Sequence, residues 1–180
     1  MNSVTIIHVG DFKEKFFKEA EGEYIKRLKA FCDYKTLCIK EESCFGEDSE
    51  KLINKALEKE AAAIRAAIPK QALKIAMCIE GKQLSSTELA SVFANEGRPV
   101  CFIIGSSFGL DESLKKECDM RLSMSKMTFP HMLARVMLAE QVYRAFAINN
   151  GKKYHKYQFD NGLPIVRVHL NPTTTDLLFL

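Results

Sequence analysis

The chain reads RLSMSKMTFPHMLARVMLAEQVYRAFAINNGKKYH over residues 121–155. A loop of Ser, Thr and Met residues with one Lys leads into a helix, which we expect to begin near Pro130 because the fixed φ of proline suits a first turn. Gly151 is the type of residue that ends a helix. A connection alone does not need so many polar groups at a helix entrance, so the segment is predicted to be functional.

The apolar residues of this helix recur near a helical repeat, and they predict a stripe that packs in a core or against a partner subunit. They are Leu133, Val136, Met137, Val142 and Phe146. Glu140 and Arg144 are four residues apart and can pair on one face, either as an ordinary surface ion pair or as part of a site. His131 is open between a structural or solvent-facing role and a functional one.

The composition fits one folded domain. A chain of 180 residues and 20.4 kDa that is 47% hydrophobic can bury a sizeable core, whereas two independent domains would be cramped. The 26 basic and 23 acidic residues give a net charge of +3. That charge is too small to identify a nucleic-acid-binding protein, but it allows a local basic face.

Compartment and redox state are predicted from what the sequence lacks. It has no apolar run near the roughly 20 residues that span a bilayer and no signal-like N-terminal segment, so we expect a cytoplasmic protein. The six cysteines form no CxxC pair and no cluster with histidine at zinc spacing. Reduced, mostly structural thiols are therefore favoured over a metal site.

Strand-like and helix-like segments alternate along the chain. Strands are predicted at residues 3–9, 34–39, 73–79, 99–104 and 120–123. Helices are predicted at residues 12–29, from Ser49 to a stop before Pro69, from the capping box at Ser85 to about Gly97, and after Asp111. Continuous apolar strands separated by helices predict an α/β fold, with a parallel sheet covered on both faces.

The turn GSSFG, at residues 105–109, follows a predicted strand and precedes a predicted helix. Proteins of the α/β class bind ligands at this place, just beyond the carboxyl end of a strand. The turn matches neither GxGxxG nor the GxxxxGK[ST] phosphate loop, so it specifies no nucleotide. By spacing alone, a plain tight turn and a binding loop are both open.

Four blocks carry a family resemblance in their order and spacing: IEGKQLSS (residues 79–86), FIIGSSFG (102–109), LSMSKMTFPHMLARVMLAEQVYRAFAI (122–148) and GKKYHK (151–156). Together they resemble the rRNA large subunit methyltransferase H family, small members of the SPOUT superfamily. The resemblance covers about residues 4–156. The block from SKMTFPH to YRAF is highly specific.

The resemblance implies a SPOUT-type α/β knot. Such a fold has a five-stranded, mostly parallel sheet with helices on both faces, and its C-terminal part threads into a trefoil knot, an exception to the rule that native chains are unknotted. The resemblance also implies a homodimer that transfers a methyl group from S-adenosyl-L-methionine to N3 of a pseudouridine in 23S rRNA of the assembled ribosome. No metal and no membrane are implied.

The same resemblance implies that the cofactor lies against Met77 at the end of the third strand, against Gly105, and within a loop that wraps its adenosine and methionine parts. The loop residues are Met124, Ser125, Lys126, Met127, Thr128 and Phe129. Backbone groups of such loops bond the adenine edge, while apolar side chains enclose the ring.

The residues that the resemblance implies for catalysis are Tyr154 and His155, beside the target base, with Glu140 and Arg144 supporting the site or the substrate. Imidazole titrates near neutral pH, so His155 is a candidate proton acceptor, and a role limited to orienting the base is equally compatible. Arg135 and Arg144 are also expected either to contact RNA phosphate or to order the dimer.

We expect residues 1–156 to form the SPOUT methyltransferase domain and residues 157–180 to be an extension that is atypical of the family. Family members characteristically end within a residue or so of the Tyr-His pair. The extension has a strand-like run at residues 163–170, and it is either specific to this lineage or artificial. Ordered beside the pocket, it would obstruct the rRNA.

Two other functions are compatible with parts of the sequence. One is a ribosome-associated binding protein that keeps the fold without catalysis. The other is an unrelated nucleotide-binding protein of the flavodoxin type. The complete cofactor loop and the Tyr154-His155 pair favour the methyltransferase over both.

Overall fold

The computed structural model describes residues 2–43, 49–155, 158–160 and 163–165. In chain order the elements are β1 (Asn2–Val9), α1 (Lys15–Leu28), β2 (Cys32–Ile39), α2 (Glu50–Ala67), β3 (Leu73–Gln83), α3 (Ser86–Asn95), β4 (Val100–Ile104), α4 (Glu112–Glu117), β5 (Met120–Ser123), α5 (His131–Asn149), β6 (Gln158–Asp160) and β7 (Leu163–Ile165).

The main sheet has five strands in the order β2-β1-β4-β3-β5, and each neighbouring pair is parallel. This confirms the predicted α/β fold and its parallel sheet. The short strands β6 and β7 form a separate antiparallel pair, so the predicted strand at residues 163–170 is observed at Leu163–Ile165, and the rest of it lies outside the described residues. The threading of the chain into a knot stays a prediction.

Both faces of the sheet are covered because successive strand residues point to opposite sides. On one side, Ile6 of β1 and Phe102 of β4 share a core with Phe93 of α3 and with residues of α1 and α5. On the other side, Ile7 of β1 packs with Ile64 of α2 and with residues of α4. The two cores hold the carboxyl ends of β3, β4 and β5 at one edge of the molecule.

The three predicted helix caps at Ser49, Ser85 and Asp111 are confirmed. The Ser49 hydroxyl accepts a hydrogen bond from the backbone N–H of Leu52, at 3.3 Å. Ser85 and Glu88 form a reciprocal capping box, and the Asp111 carboxylate accepts from the N–H of Leu114 at 3.0 Å. Each cap satisfies a backbone donor that the first helical turn leaves without a partner.

The predicted apolar stripe of α5 is partly wrong. Val142 and Phe146 are buried in the core as predicted, but Leu133, Val136 and Met137 are only half-buried. At about 3.6 residues per turn these three lie on the opposite side of α5 from Val142. The prediction failed because α5 carries apolar residues on both sides. Residues from the two sides were assigned to a single stripe.

Two element boundaries that were predicted from the sequence are also wrong. Helix α1 begins at Lys15 rather than at residue 12, and β3 continues to Gln83 rather than ending at residue 79. The extension of β3 contains charged and polar residues, which an apolar strand pattern does not capture. Among the described residues, no helix is long and apolar enough to cross a membrane.

Candidate active site

A cavity of about 740 Å³ opens where β3, β4 and β5 end. Its volume falls within the range of roughly 300 to 1,000 Å³ that is usual for small-molecule sites. Most of the predicted cofactor residues line it, namely Met77, Gly105, Met124, Ser125, Met127, Thr128 and Phe129. Lys126 is exposed and is not among the lining residues.

The turn after β4 is tight and forms part of the cavity wall, and its role as a binding loop stays a prediction. The N–H of Gly109 donates to the carbonyl oxygen of Ser106 at 2.9 Å, and Gly109 has a φ of +87°. A Cβ atom on Gly105 would lie 2.0 Å from the carbonyl oxygen of Gly109. Only glycine fits at position 105, because any side chain would overlap the turn that follows.

The far wall of the cavity is a bulge in β3 that sequence reasoning missed. Met77 and Lys82 both pair with Leu122 of β5. The residues between them therefore bulge out of the β3–β5 pairing. Cys78, Ile79 and Glu80 of this segment line the cavity. The glycine at position 81 was the available signal, since a glycine inside a strand often marks a bulge.

An ion-pair network at the cavity edge was also missed. The Lys115 ammonium lies 2.6 Å from a carboxylate oxygen of Glu80 and 2.7 Å from one of Glu112. Arg121 lies 3.1 Å from Glu112. The hydrogen bond from Lys115 lowers the pKa of Glu80 below its usual value. The network joins the end of β3 to α4 and β5, and so it fixes that side of the cavity.

Internal hydrogen bonds shape the loop at residues 124–129. The Ser123 hydroxyl donates to the carbonyl oxygen of Ser125 at 2.8 Å, and the Ser125 hydroxyl accepts from the N–H of Met127 at 3.0 Å. His131, at the start of α5, lines the cavity as well. Within the described part of the chain, its Nε2 atom is buried without a hydrogen-bond partner.

The four residues predicted for catalysis are brought together in one cluster, which we call the Tyr-His cluster (Glu140, Arg144, Tyr154 and His155). The Tyr154 hydroxyl donates to Oε1 of Glu140 at 3.0 Å, and Arg144 donates to the same oxygen. Arg144 also lies 3.3 Å from Nδ1 of His155 and 4.8 Å from the centre of the Tyr154 ring. The Glu140–Arg144 pair is therefore part of a network rather than an isolated surface ion pair.

The electrostatics of the Tyr-His cluster keep its ring groups neutral. Burial raises the pKa of Tyr154 well above its usual value, with the Glu140 carboxylate acting in the same direction. Burial and the neighbouring Arg144 guanidinium lower the pKa of His155. Arg has donors only, so Nδ1 of a neutral His155 accepts from Arg144 and Nε2 carries the hydrogen.

The Tyr-His cluster does not line the cavity of its own chain. Ala134 lines the cavity, and Glu140 follows it six residues later on α5, roughly 9 Å along the helix axis. Within one chain, the predicted cofactor residues and the predicted catalytic residues thus form two separate groups.

Arg135 lies inside the chain rather than on an RNA-facing surface, and its expected role in ordering a dimer stays a prediction. Its guanidinium is buried and makes two hydrogen bonds of 2.5 Å to the carboxylate of Glu21 on α1. It also lies 3.2 Å from Nδ1 of His8 and 3.9 Å from the ring centre of Phe12. These contacts occupy Arg135 within the chain, and it is not presented to RNA phosphate.

Three kinds of comparison with known proteins bear on this geometry. A family model described as "Predicted SPOUT methyltransferase" matches residues 2–155. The ribosomal RNA large subunit methyltransferase H of Clostridium botulinum (strain Eklund 17B) is 44% identical over 160 residues, covering 86% of this chain and 99% of the relative. The methyltransferase H of Bifidobacterium adolescentis is 43% identical over 157 residues, covering 85% of this chain and 99% of the relative.

A solved structure supports the fold. The chain described as a probable methylase family protein from Haemophilus influenzae Rd KW20 matches with a TM-score of 0.54 and 14% identity, over 88% of this chain and 72% of that one. At this identity the match concerns the fold alone. The family model and the two relatives span nearly all the elements that build the cavity, and on their evidence the chain belongs to the SPOUT methyltransferase family.

Proposed function

We propose that this protein transfers the methyl group of S-adenosylmethionine to N3 of a pseudouridine in the 23S rRNA of the assembled ribosome. The names of its relatives support rRNA as the substrate. The observation that carries the proposal is the cavity, because the glycine turn at 105–109 and the loop at 124–129 enclose it together.

The lining residues fit this cofactor. Apolar side chains of Met77, Leu122 and Met124 offer surfaces for an adenine ring, and the backbone of the surrounding turns offers polar groups for its edge. The sulfonium methyl group is itself an activated electrophile when the cofactor is bound. The chain therefore has mainly to hold the two reactants in line, and good orientation can supply on the order of 7 to 11 kcal/mol.

The Tyr-His cluster supports an orienting role for His155. Its Nδ1 faces Arg144, so the hydrogen of the neutral ring is on Nε2. We propose that this Nε2–H would be donated to an oxygen of the target base in the complex. Tyr154 and Arg144 both bond Glu140, and these bonds fix the rotamers that aim His155. The proton that N3 loses on methylation would pass to solvent water, since acid-base assistance would typically add only about 100-fold to 10,000-fold, less than positioning.

The separation of the two residue groups supports a homodimer. Leu133, Val136 and Met137 lie half-buried on the same side of α5 as Glu140 and Arg144. Two α5 helices packed antiparallel on this face would bring the Tyr-His cluster of one subunit next to the start of α5 in the other. The start of α5 borders the cavity, so the dimer would complete each site.

Two assays test the proposed function. Nucleoside mass spectrometry on ribosomes from a strain lacking the gene, before and after incubation with the protein and S-adenosylmethionine, should show N3-methylpseudouridine. Calorimetry with S-adenosylmethionine should show saturable heat. Heat without the modified nucleoside would indicate a binding protein that has lost catalysis, and no heat would favour the flavodoxin-type nucleotide binder.

We also propose that the protein works in the cytoplasm, where bacterial ribosomes are.

We further propose that residues 1–156 are the catalytic domain and that residues 157–180 are an appendage to it. The family model, which ends at residue 155, supports the boundary. A variant truncated after Lys156 should methylate ribosomes at least as fast as the full chain. A truncated variant without activity would show that the appendage belongs to the enzyme.

A further inference from the structure

Exposed apolar side chains concentrate at the mouth of the cavity. In the described part of the chain, six large hydrophobic residues are exposed, and three of them line the cavity: Ile79 (55% exposed), Phe108 (43%) and Met127 (71%). They come from three separate segments, the β3 bulge, the turn after β4 and the loop before α5. Exposed apolar residues that converge on one opening usually mark a place where something binds.

Phe108 is the aromatic member of this group, and it sits on a rigid support. It occupies a central position of the turn closed by the 2.9 Å hydrogen bond from Gly109 to Ser106. The absence of a side chain at Gly105 lets its backbone pack directly against Gly109 at the other end of the turn. Leu110, the next residue after the turn, is buried. The backbone that carries the ring is thus held in place, so that only the ring's own rotamer has to be ordered on binding.

We infer that Phe108 stacks against the target base of the rRNA and holds it in front of the methyl donor. This inference rests on the proposed function. A base that reacts at N3 has to leave its stack and reach the cavity mouth, and an unstacked base in RNA is commonly held on an aromatic face. Ile79 and Met127 border the same opening and would exclude water around the stacked pair.

Neighbouring charge favours an RNA base over an apolar protein partner. Lys126 is exposed and is adjacent in sequence to Met127, so its ammonium is available to phosphate beside the base. An apolar interface with a second protein would be expected to exclude such a cation from its centre.

The test compares three variants of the full chain. Phe108→Leu keeps an apolar side chain but removes the flat ring, and Phe108→Trp keeps a ring. Phe16→Leu is the matched control, since Phe16 is 46% exposed and lies on α1 away from the cavity lining. For each variant we would measure kcat/KM with ribosomes from a strain lacking the gene, the Kd for S-adenosylmethionine, and the oligomeric state.

Phe108→Leu should lower kcat/KM for ribosomes by about 5-fold to 150-fold, the range that loss of one base–aromatic stack predicts. Its Kd for S-adenosylmethionine should stay within about twofold of wild type. Phe108→Trp should retain more of the activity than Phe108→Leu because it keeps a ring, and Phe16→Leu should remain near wild type.

Several results would overturn the inference. An equal loss of cofactor affinity would make Phe108 part of the cofactor pocket, and dissociation of a dimer would make it a subunit contact. If Phe108→Leu has the same kinetics as an active wild-type protein, the stacking role of Phe108 is refuted while the proposed function stands. A wild-type protein that methylates no ribosomes would instead refute the proposed function on which the inference rests.

Discussion

Arg135 of α5 and Glu21 of α1 form a buried, two-pronged ion pair, with both nitrogen-to-oxygen distances at 2.5 Å. The two residues are 114 positions apart in sequence. The pair links the start of α5, which borders the cavity, to α1 near the N-terminus of the sequence.

Glu21→Gln should destabilise the protein strongly, because it leaves the buried Arg135 guanidinium with only the exposed Asp11 carboxylate, 3.5 Å away, as a counter-charge. Breaking one side of a buried pair costs about 3 to 5 kcal/mol, measurable as a lower free energy of unfolding in urea. Glu19→Gln is the control, since Glu19 pairs with Lys15 on the exposed side of α1 and should change nothing measurable. Equal stability of the two variants would contradict this account.

His8 should make folding stability depend on pH. Burial, and next the Arg135 charge, lower its pKa from 6.5 to about 4. The unfolded chain then binds a proton more readily than the folded one, so stability is complete above about pH 6.5 and is lost as pH falls towards 4. Between pH 7 and pH 5 the loss should be about 2 kcal/mol. Urea titrations of His8→Gln should lack this component, and an identical pH slope in the variant would refute it.

Gly105→Ala should abolish cofactor binding. The added Cβ would lie 2.0 Å from the carbonyl oxygen of Gly109, so the turn would have to open and the cavity wall would move. Calorimetry with S-adenosylmethionine should show no saturable heat. Gly97→Ala is the matched control because its Cβ would meet no atom within 4 Å, and it should bind like wild type. Normal binding by Gly105→Ala would show that the turn does not shape the site.

Val136→Glu should convert a dimer into monomers in light scattering. The charge would be introduced on the half-buried apolar face of α5, where a partner subunit is proposed to pack, and burying it there without a partner is unfavourable. Ala62→Glu, on the exposed side of α2, should leave the mass unchanged. A Val136→Glu dimer of wild-type mass would show that another surface joins the subunits.

Variants of His155 distinguish a donor from a proton acceptor. If Nε2 orients the base, His155→Gln keeps a comparable donor and most of the activity, whereas His155→Ala should lower kcat by roughly 10- to 100-fold. Because the pKa of His155 is lowered, wild-type kcat should be flat from neutral pH down to about 6.5. A comparable loss in both variants, together with an acid limb that disappears in them, would instead identify His155 as the base.

Much of the fold could be predicted because local signals agreed with the global structure. Ser49, Ser85 and Asp111 all cap helices as predicted, since a cap depends only on residues a few positions away. The inner strands β1, β3 and β4 were recognisable as apolar runs, which burial on both faces requires. The α5 stripe failed because the helix is apolar on two sides, and sequence alone does not say which side meets the core.

The candidate site was predictable only where one segment supplies it. The turn at 105–109 and the loop at 124–129 were located from contiguous blocks. The Glu21–Arg135 pair and the Lys115–Glu80 contact join residues far apart in sequence, and no local pattern distinguishes such partners from ordinary surface charges. The distance between the cavity and the Tyr-His cluster likewise depends on packing that periodicity does not report.

Leu122 is the hydrogen-bonding neighbour of β3 on both sides of its bulge. The bulged segment is therefore anchored at each end to a single point, and its conformation is settled when the sheet forms. The entropy of ordering that wall is lost during folding and not during ligand association. We accordingly expect the cofactor to bind a preformed cavity. Its association rate should be limited by diffusion to the cavity rather than by a slow rearrangement of the sheet.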